Sequence, residues 1–96
     1  MSDPTLLVLA SLAEGDKHGY AMMEDIERFA GVRLGPGTLY GAITRLEQRG
    51  WIRPVRTAAD RRQPYALTGD GRKHLEEQLS SLGQIVRTGQ KRLKHA

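Results

Sequence analysis

Thr38, Gly41, Thr44, Arg45 and Gln48 share one side of a helical wheel drawn over residues 38–49, with Gly37 at its start. Leu39, Ala42, Ile43 and Leu46 take the opposite side. The first set offers hydroxyls, a guanidinium and an amide, groups that recognise by hydrogen bonding rather than by making bonds. The two glycines keep that side thin. A helix of this kind brings its backbone close to whatever it meets, and Gly35, Pro36 and Gly37 extend the thin region through its start. The positive end of the helix then favours an anion. Thr38 is expected to cap the helix and to help hold that anion, and Arg45 to reach beyond it.

Other residues could join the same chemistry. Tyr20 and Tyr40 each combine a packing ring with a hydroxyl able to reach an anion; the alternative for both is core packing with the hydroxyl at the rim. Arg61 and Arg62 form a cationic pair, and Lys17 with His18 a second one. Trp51 reads as an anchor of core or interface, with ligand stacking as its alternative.

Covalent chemistry finds no support. No nucleophile lies beside a base in a known motif, and "GPG" lacks the Lys and Ser/Thr of a phosphate-cradling loop. His18, His74 and His95 have no metal-ligand spacing. The chain has no cysteine, which removes disulfides and thiolate sites. An enzyme, a cofactor and a metal are therefore not expected.

Charge points to a partner. Residues 1–44 hold three Lys/Arg and six Asp/Glu, a balance of −3. Residues 45–96 hold twelve and five, a balance of +7, which gives the net +4 of the chain. A basic half attracts polyanions, nucleic acid foremost. The alternative is a basic surface that only keeps the protein in solution.

These groups need elements to position them. The 96 residues suffice for one domain with a modest core. Asp3 and Pro4 mark the start of a first helix. Leu6, Leu7, Val8, Leu9 and Leu12 leave it almost no polar side, so it must be buried in the core or against a second subunit. "EGDKHG" (residues 14–19) reads as a turn. A second helix is expected from about His18 to Ala30, with Met22, Met23, Ile26, Phe29 and Ala30 facing the core and Gly31 ending it. "WIRPVRT" and "QPYALT" read as two strands of a hairpin with Arg61 and Arg62 at its tip. Pro54 and Pro64 point to edge-like strands.

The last helix starts near Thr68. Leu75, Leu79, Leu82, Val86 and Leu93 follow at spacings of 4, 3, 4 and 7, a heptad seam with Gly89 in the vacant place. Gly83 and Gly89 should loosen it. The run Leu6 to Ala13 is too short to span a membrane, and no targeting segment is recognised, so a cytoplasmic location is expected.

Helix, helix, helix, hairpin, long helix is the order of a winged helix-turn-helix. The expected fold is mainly α with a small β-hairpin wing. Residues 1–67 would form the DNA-binding region and 68–96 the dimerisation helix, within one structural domain.

"HGY" (residues 18–20), "GPGTLYGAITRLEQRGWI" (35–52) and "YALTGDGRKHL" (65–75) resemble the PadR family of transcriptional regulators, and "LLVLASLAEGDKHGY" fits the same pattern. The resemblance covers nearly the whole chain. It implies a repressor that works as a homodimer on a pseudo-palindromic operator, associated with the nucleoid, and released in some members by a small, often aromatic, ligand. DNA contacts are expected from Tyr20, Gly37, Thr38, Tyr40, Thr44, Arg45, Gln48, Arg61 and Arg62, the resemblance favouring Tyr40 and Tyr20; for Arg61 and Arg62 the alternative is a charged turn that protects the hairpin from edge pairing. Leu6, Leu9, Leu75, Leu79, Leu82, Val86 and Leu93 are expected at the dimer seam. Gly41 stands where the family often has proline. The rival reading is a protein-interaction module that keeps the fold without reading DNA. It would place exposed apolar residues on the third helix.

Overall fold

The computed structural model describes residues 3–56 and 62–95. Helix α1 spans Pro4–Leu12. The Asp3 carboxylate accepts from the Thr5 amide at 3.0 Å, and Pro4 occupies the first turn, as the sequence predicts. Leu7, Val8, Leu9 and Leu12 are all buried, and α1 is the hub of the fold. Every other helix packs on it.

Strand β1 is only Lys17–His18, inside the stretch expected to be a turn alone. Helix α2 (Gly19–Ala30) follows at once, capped by the His18 ring and closed by Gly31 in the left-handed region at φ +67°. Met22 and Ile26 face the core, with Met23 and Ala30 packed against it, but Phe29 is 50% exposed.

Helix α3 spans Pro36–Gln48. Its N-cap is Gly35, which has no side chain to accept, so Thr38 lies within the first turn and is not the cap. Leu39, Ala42, Ile43 and Leu46 are buried as the wheel predicts. The exit is a Schellman turn: Gly50, at φ +75°, donates its N–H to Glu47 and Trp51 donates to the Leu46 carbonyl, both at 3.0 Å.

Strands β2 (Ile52–Pro54) and β3 (Pro64–Leu67) form the expected hairpin, with Ile52 opposite Leu67 and Pro54 opposite Tyr65. Strand β1 pairs with the far side of β3, Lys17 opposite Tyr65. The order β1-β3-β2 makes β3 central rather than an edge. Pro64 is tolerated because it is the first residue of the strand, where a missing N–H interrupts little.

Helix α4 covers Gly69–Lys94, its 26 residues unbroken through Gly83 and Gly89. The Thr68 hydroxyl accepts from the Gly71 amide at 3.0 Å and donates to the Gly50 carbonyl at 2.7 Å. One side chain thus caps α4 and ties it to the exit of α3. This architecture is a winged helix-turn-helix with a C-terminal helix.

Candidate nucleic-acid interface

The outer side of α3 is open. Gly37, Thr38, Thr44, Arg45 and Gln48 are exposed, and Gly41 is half-buried. The small residues have a local use: a β-carbon on Gly41 would sit 3.5 Å from an Arg45 guanidinium nitrogen. The Arg45 side chain therefore lies back over Gly41, along the helix. Thr44 donates its hydroxyl proton to the Tyr40 carbonyl at 2.9 Å, so its oxygen faces outward as an acceptor.

Beside α3 lies a recess of about 240 Å³ between the start of α2 (His18 to Tyr20), Tyr40, and the residues entering β3 (Arg62, Gln63, Tyr65). It gathers three of the expected contacts, Tyr20, Tyr40 and Arg62. Both Tyr20 and Tyr40 are exposed at its rim, which rules out core packing for either. Gly19 admits the Tyr40 ring, since any β-carbon there would collide with the Tyr40 hydroxyl. Arg62 Nη1 is 3.1 Å from His18 Nε2. Burial, then the Glu47 carboxylate and Tyr40, push the Tyr65 phenol above its ordinary pKa, so it keeps its proton. Arg61 lies outside the described residues.

Lys17 does not join this site. Its ammonium turns into the α1–α2 junction, donating to the Ser11 carbonyl at 2.6 Å and pairing with Glu14 at 2.9 Å. Buried Ser11 donates to Asp25 at 2.7 Å, and Lys17 lies 3.8 Å from the same carboxylate. Lys17 is thus a structural staple. Trp51 is an anchor: its ring stacks on His74 of α4, centroids 3.7 Å apart, and the Arg49 guanidinium lies 5.1 Å from its centre. Nothing in the sequence pairs Trp51 with His74, because only the Thr68 corner brings α4 back to it.

The seam residues divide in two. Leu9 (1% exposed) and Leu75 (5%) are in this chain's own core and have almost no surface left for a partner. Leu6 is half-buried against that core. Leu79, Leu82, Val86 and Leu93 are exposed along α4, joined by Ile85, which the heptad omitted. A helix face wider than a strict two-in-seven seam includes it. Among the described residues no cluster of His, Asp or Glu could hold a metal, and no helix is long and apolar enough to cross a membrane.

A thin, polar third helix beside a hairpin wing defines a winged-helix regulator fold. The family described as transcriptional regulator PadR-like matches residues 8–77, and this chain belongs to it. That family is one of regulators, not enzymes. Transcriptional regulator Rv3488 of Mycobacterium tuberculosis is 32% identical over 84 residues, covering 85% of this chain and 78% of that protein. An uncharacterised 37.1 kDa protein in transposon TN4556 of Streptomyces fradiae is 44% identical over 84 residues, 88% of this chain. The chain spans about a quarter (24%) of that protein's length. In fold, it superposes on a PadR family transcription regulator from Clostridium difficile with a TM-score of 0.83 at 24% identity, covering 94% of this chain and 97% of that one.

Proposed function

We propose that the chain is a homodimeric, sequence-specific DNA-binding repressor. Helix α3 would enter the major groove of each half of a pseudo-palindromic operator. The observation that carries this reading is the outer side of α3. It is polar and thin, it beds Arg45 on Gly41, and it adjoins the recess of Tyr20, Tyr40 and Arg62. Thr38, Thr44, Arg45 and Gln48 would meet base edges or phosphates, with Gly37 giving room. Arg62, and Arg61 beyond the described residues, would grip the backbone from the wing. Residues 1–67 would carry DNA binding. The exposed stripe of α4 would pair the subunits. Release by a small aromatic or hydrophobic ligand, and a cytoplasmic, nucleoid-associated location, complete the proposal and rest on the family. The interaction-module reading has less behind it. Tyr40 is the one exposed large apolar residue on α3 among the described residues, and it turns to the recess.

The test is fluorescence anisotropy on the duplex immediately upstream of the protein's own gene, against a scrambled duplex, across a salt series. The native duplex should bind more tightly, with affinity falling steeply as salt rises. Arg45→Ala should cost roughly 1–3 kcal/mol on the native duplex if it reads a base. Equal, weak binding of both duplexes at every salt would remove the claim of sequence specificity.

A further inference from the structure

Thr44 and Arg45 are neighbours on the outer side of α3, and hydrogen bonding limits what each can offer to DNA. The Thr44 hydroxyl donates its proton to the Tyr40 carbonyl at 2.9 Å. That carbonyl lies one turn back and also takes the helical N–H bond of residue 44, so both of its lone pairs are used. The Thr44 side chain is exposed, and its oxygen turns only lone pairs outward. Arg45 is the reverse. A guanidinium only donates, and Arg45 Nη1 lies over Gly41, 3.5 Å from where a β-carbon would stand. Residues 40 and 41 are adjacent, so the acceptor of Thr44 and the donors of Arg45 lean over the same turn of the helix. Gly41 keeps that turn thin.

An outward acceptor decides between phosphate and base for Thr44. A phosphate oxygen is itself an acceptor, so it meets Thr44 only if the hydroxyl lets go of Tyr40. In the major groove the donors are amino groups, N4 of cytosine and N6 of adenine. Guanine and thymine present acceptors there. Thr44 therefore pairs with an amino group and disfavours guanine O6 and thymine O4. Arg45 pairs with acceptors, best with O6 and N7 of one guanine. The two demands meet in a single base pair. A G·C pair shows acceptor, acceptor and donor in a row, whereas an A·T pair sets its donor between two acceptors. Two donors from Arg45 and one acceptor from Thr44 fit the first row and not the second.

We propose that Thr44 and Arg45 together read one G·C base pair. Arg45 donates to guanine O6 and N7, and the Thr44 oxygen accepts from the N4 amino group of the paired cytosine. This rests on the DNA-binding reading above and adds to it the base pair selected and the part each residue plays. Tyr40 acts through its backbone, since its carbonyl holds the Thr44 proton and so makes Thr44 an acceptor. Helical side chains tilt toward the N-terminus, so both head groups reach toward the end of α3 that meets base edges in helix-turn-helix proteins.

The experiment uses the full chain and a library of duplexes randomised over roughly two helical turns, the span of paired half-sites. The bound duplexes are sequenced for wild type, Thr44→Val and Arg45→Ala. Valine keeps the branched shape at this exposed position and removes the oxygen, so Thr44→Val should melt as the wild type does. Wild type should select G·C at one position of each half-site. Both variants should relax that same position and keep the others. A selected duplex then carries base analogues at that position. 7-Deazaguanine lacks the N7 acceptor and should weaken wild type about three- to tenfold while leaving Arg45→Ala unmoved. Pyrimidin-2-one in place of cytosine lacks the amino group and should weaken wild type more than Thr44→Val by a similar factor. If a variant fails to fold, the wild type alone decides, since equal binding of native and analogue duplexes overturns the inference. It is also overturned, with DNA binding left standing, if Thr44→Val keeps every preference, relaxes a position that held A·T, or weakens all duplexes equally. The same holds if the two variants relax different positions. If the wild type draws no preferred sequence from the library, the functional reading itself falls, and the base-pair assignment with it.

Discussion

The hydroxyl of Tyr40 occupies the space that a side chain at residue 19 would need. A β-carbon on Gly19 would also lie 2.8 Å from Cζ and 3.2 Å from Cε1 of the same ring. The first turns of α2 and α3 are therefore spaced by a glycine, and the recess takes its shape from that spacing. Gly19→Ala should destabilise the fold by about 1–3 kcal/mol, as overpacking does. Urea unfolding checks this through a lower midpoint at unchanged slope. Tyr40→Phe removes the nearest colliding atom, so the double variant should recover part of the loss. Additive losses would mean that the two residues do not meet.

A second close approach sets α4. A β-carbon on Gly71 would collide with the Trp51 carbonyl oxygen and come within 2.8 Å of its carbon. That same carbonyl accepts from the Thr68 amide at 3.0 Å, so the backbone cannot yield without breaking the α4 entry. Gly71→Ala should cost more than Gly19→Ala, because no flexible side chain can move aside. Trp51 is the single tryptophan, and its ring depends on α4 for the His74 stack. Its fluorescence should shift to that of a solvated indole in the variant. An unchanged emission spectrum would show α4 docked as before.

The helices were legible because each has a period to read. Leu39, Ala42, Ile43 and Leu46 fall where the wheel puts them, and Asp3, Gly31 and Thr68 bound their helices as caps should. Strand β1 was not legible, since two residues carry no alternation and their partner β3 is distant in sequence. Period also cannot say who buries an apolar side. Leu9 and Leu75 read like Leu82 in the sequence, yet the first two close this chain's core and the last stays open. Phe29 kept the helical spacing but is half exposed, while its neighbour Ala30 packs on the core. At the site, the polar side of α3 was visible from residue types alone. The fates of Lys17 and His18 were not, because Asp25 and Arg62, which decide them, come from other elements.

The Tyr65 phenol makes alkaline stability a local readout. Its pKa is raised by burial first, then by Glu47 and Tyr40. The folded chain thus holds this proton to higher pH than the unfolded chain. The stability so gained is complete below the ordinary tyrosine pKa of about 10 and is lost as pH rises through the folded value. In a titration of tyrosinate absorbance, a component should emerge above the pH of free tyrosine, and Tyr65→Phe should remove it. The same variant should soften the alkaline fall in melting temperature. A late component that persists without Tyr65 would assign it to another residue.

The exposed stripe of α4 should decide the oligomeric state. Leu79, Leu82, Ile85 and Val86 are each at least 40% exposed on one helix, too contiguous for an ordinary solvated surface. If a second copy covers them, a charge in their midst must be expelled from the interface. Leu82→Arg should convert a dimer to a monomer in sedimentation. It should also abolish the rise of melting temperature with protein concentration. The monomer should still unfold cooperatively, because the core of Leu9, Ile26, Leu39 and Leu75 does not include Leu82. Leu9→Ala provides the contrast, expected to lose about 2–5 kcal/mol as a cavity variant. Its loss should be the same at every protein concentration if Leu9 serves the core alone. A dimer that survives Leu82→Arg, or a Leu9→Ala loss that depends on concentration, would move the interface from α4 toward α1.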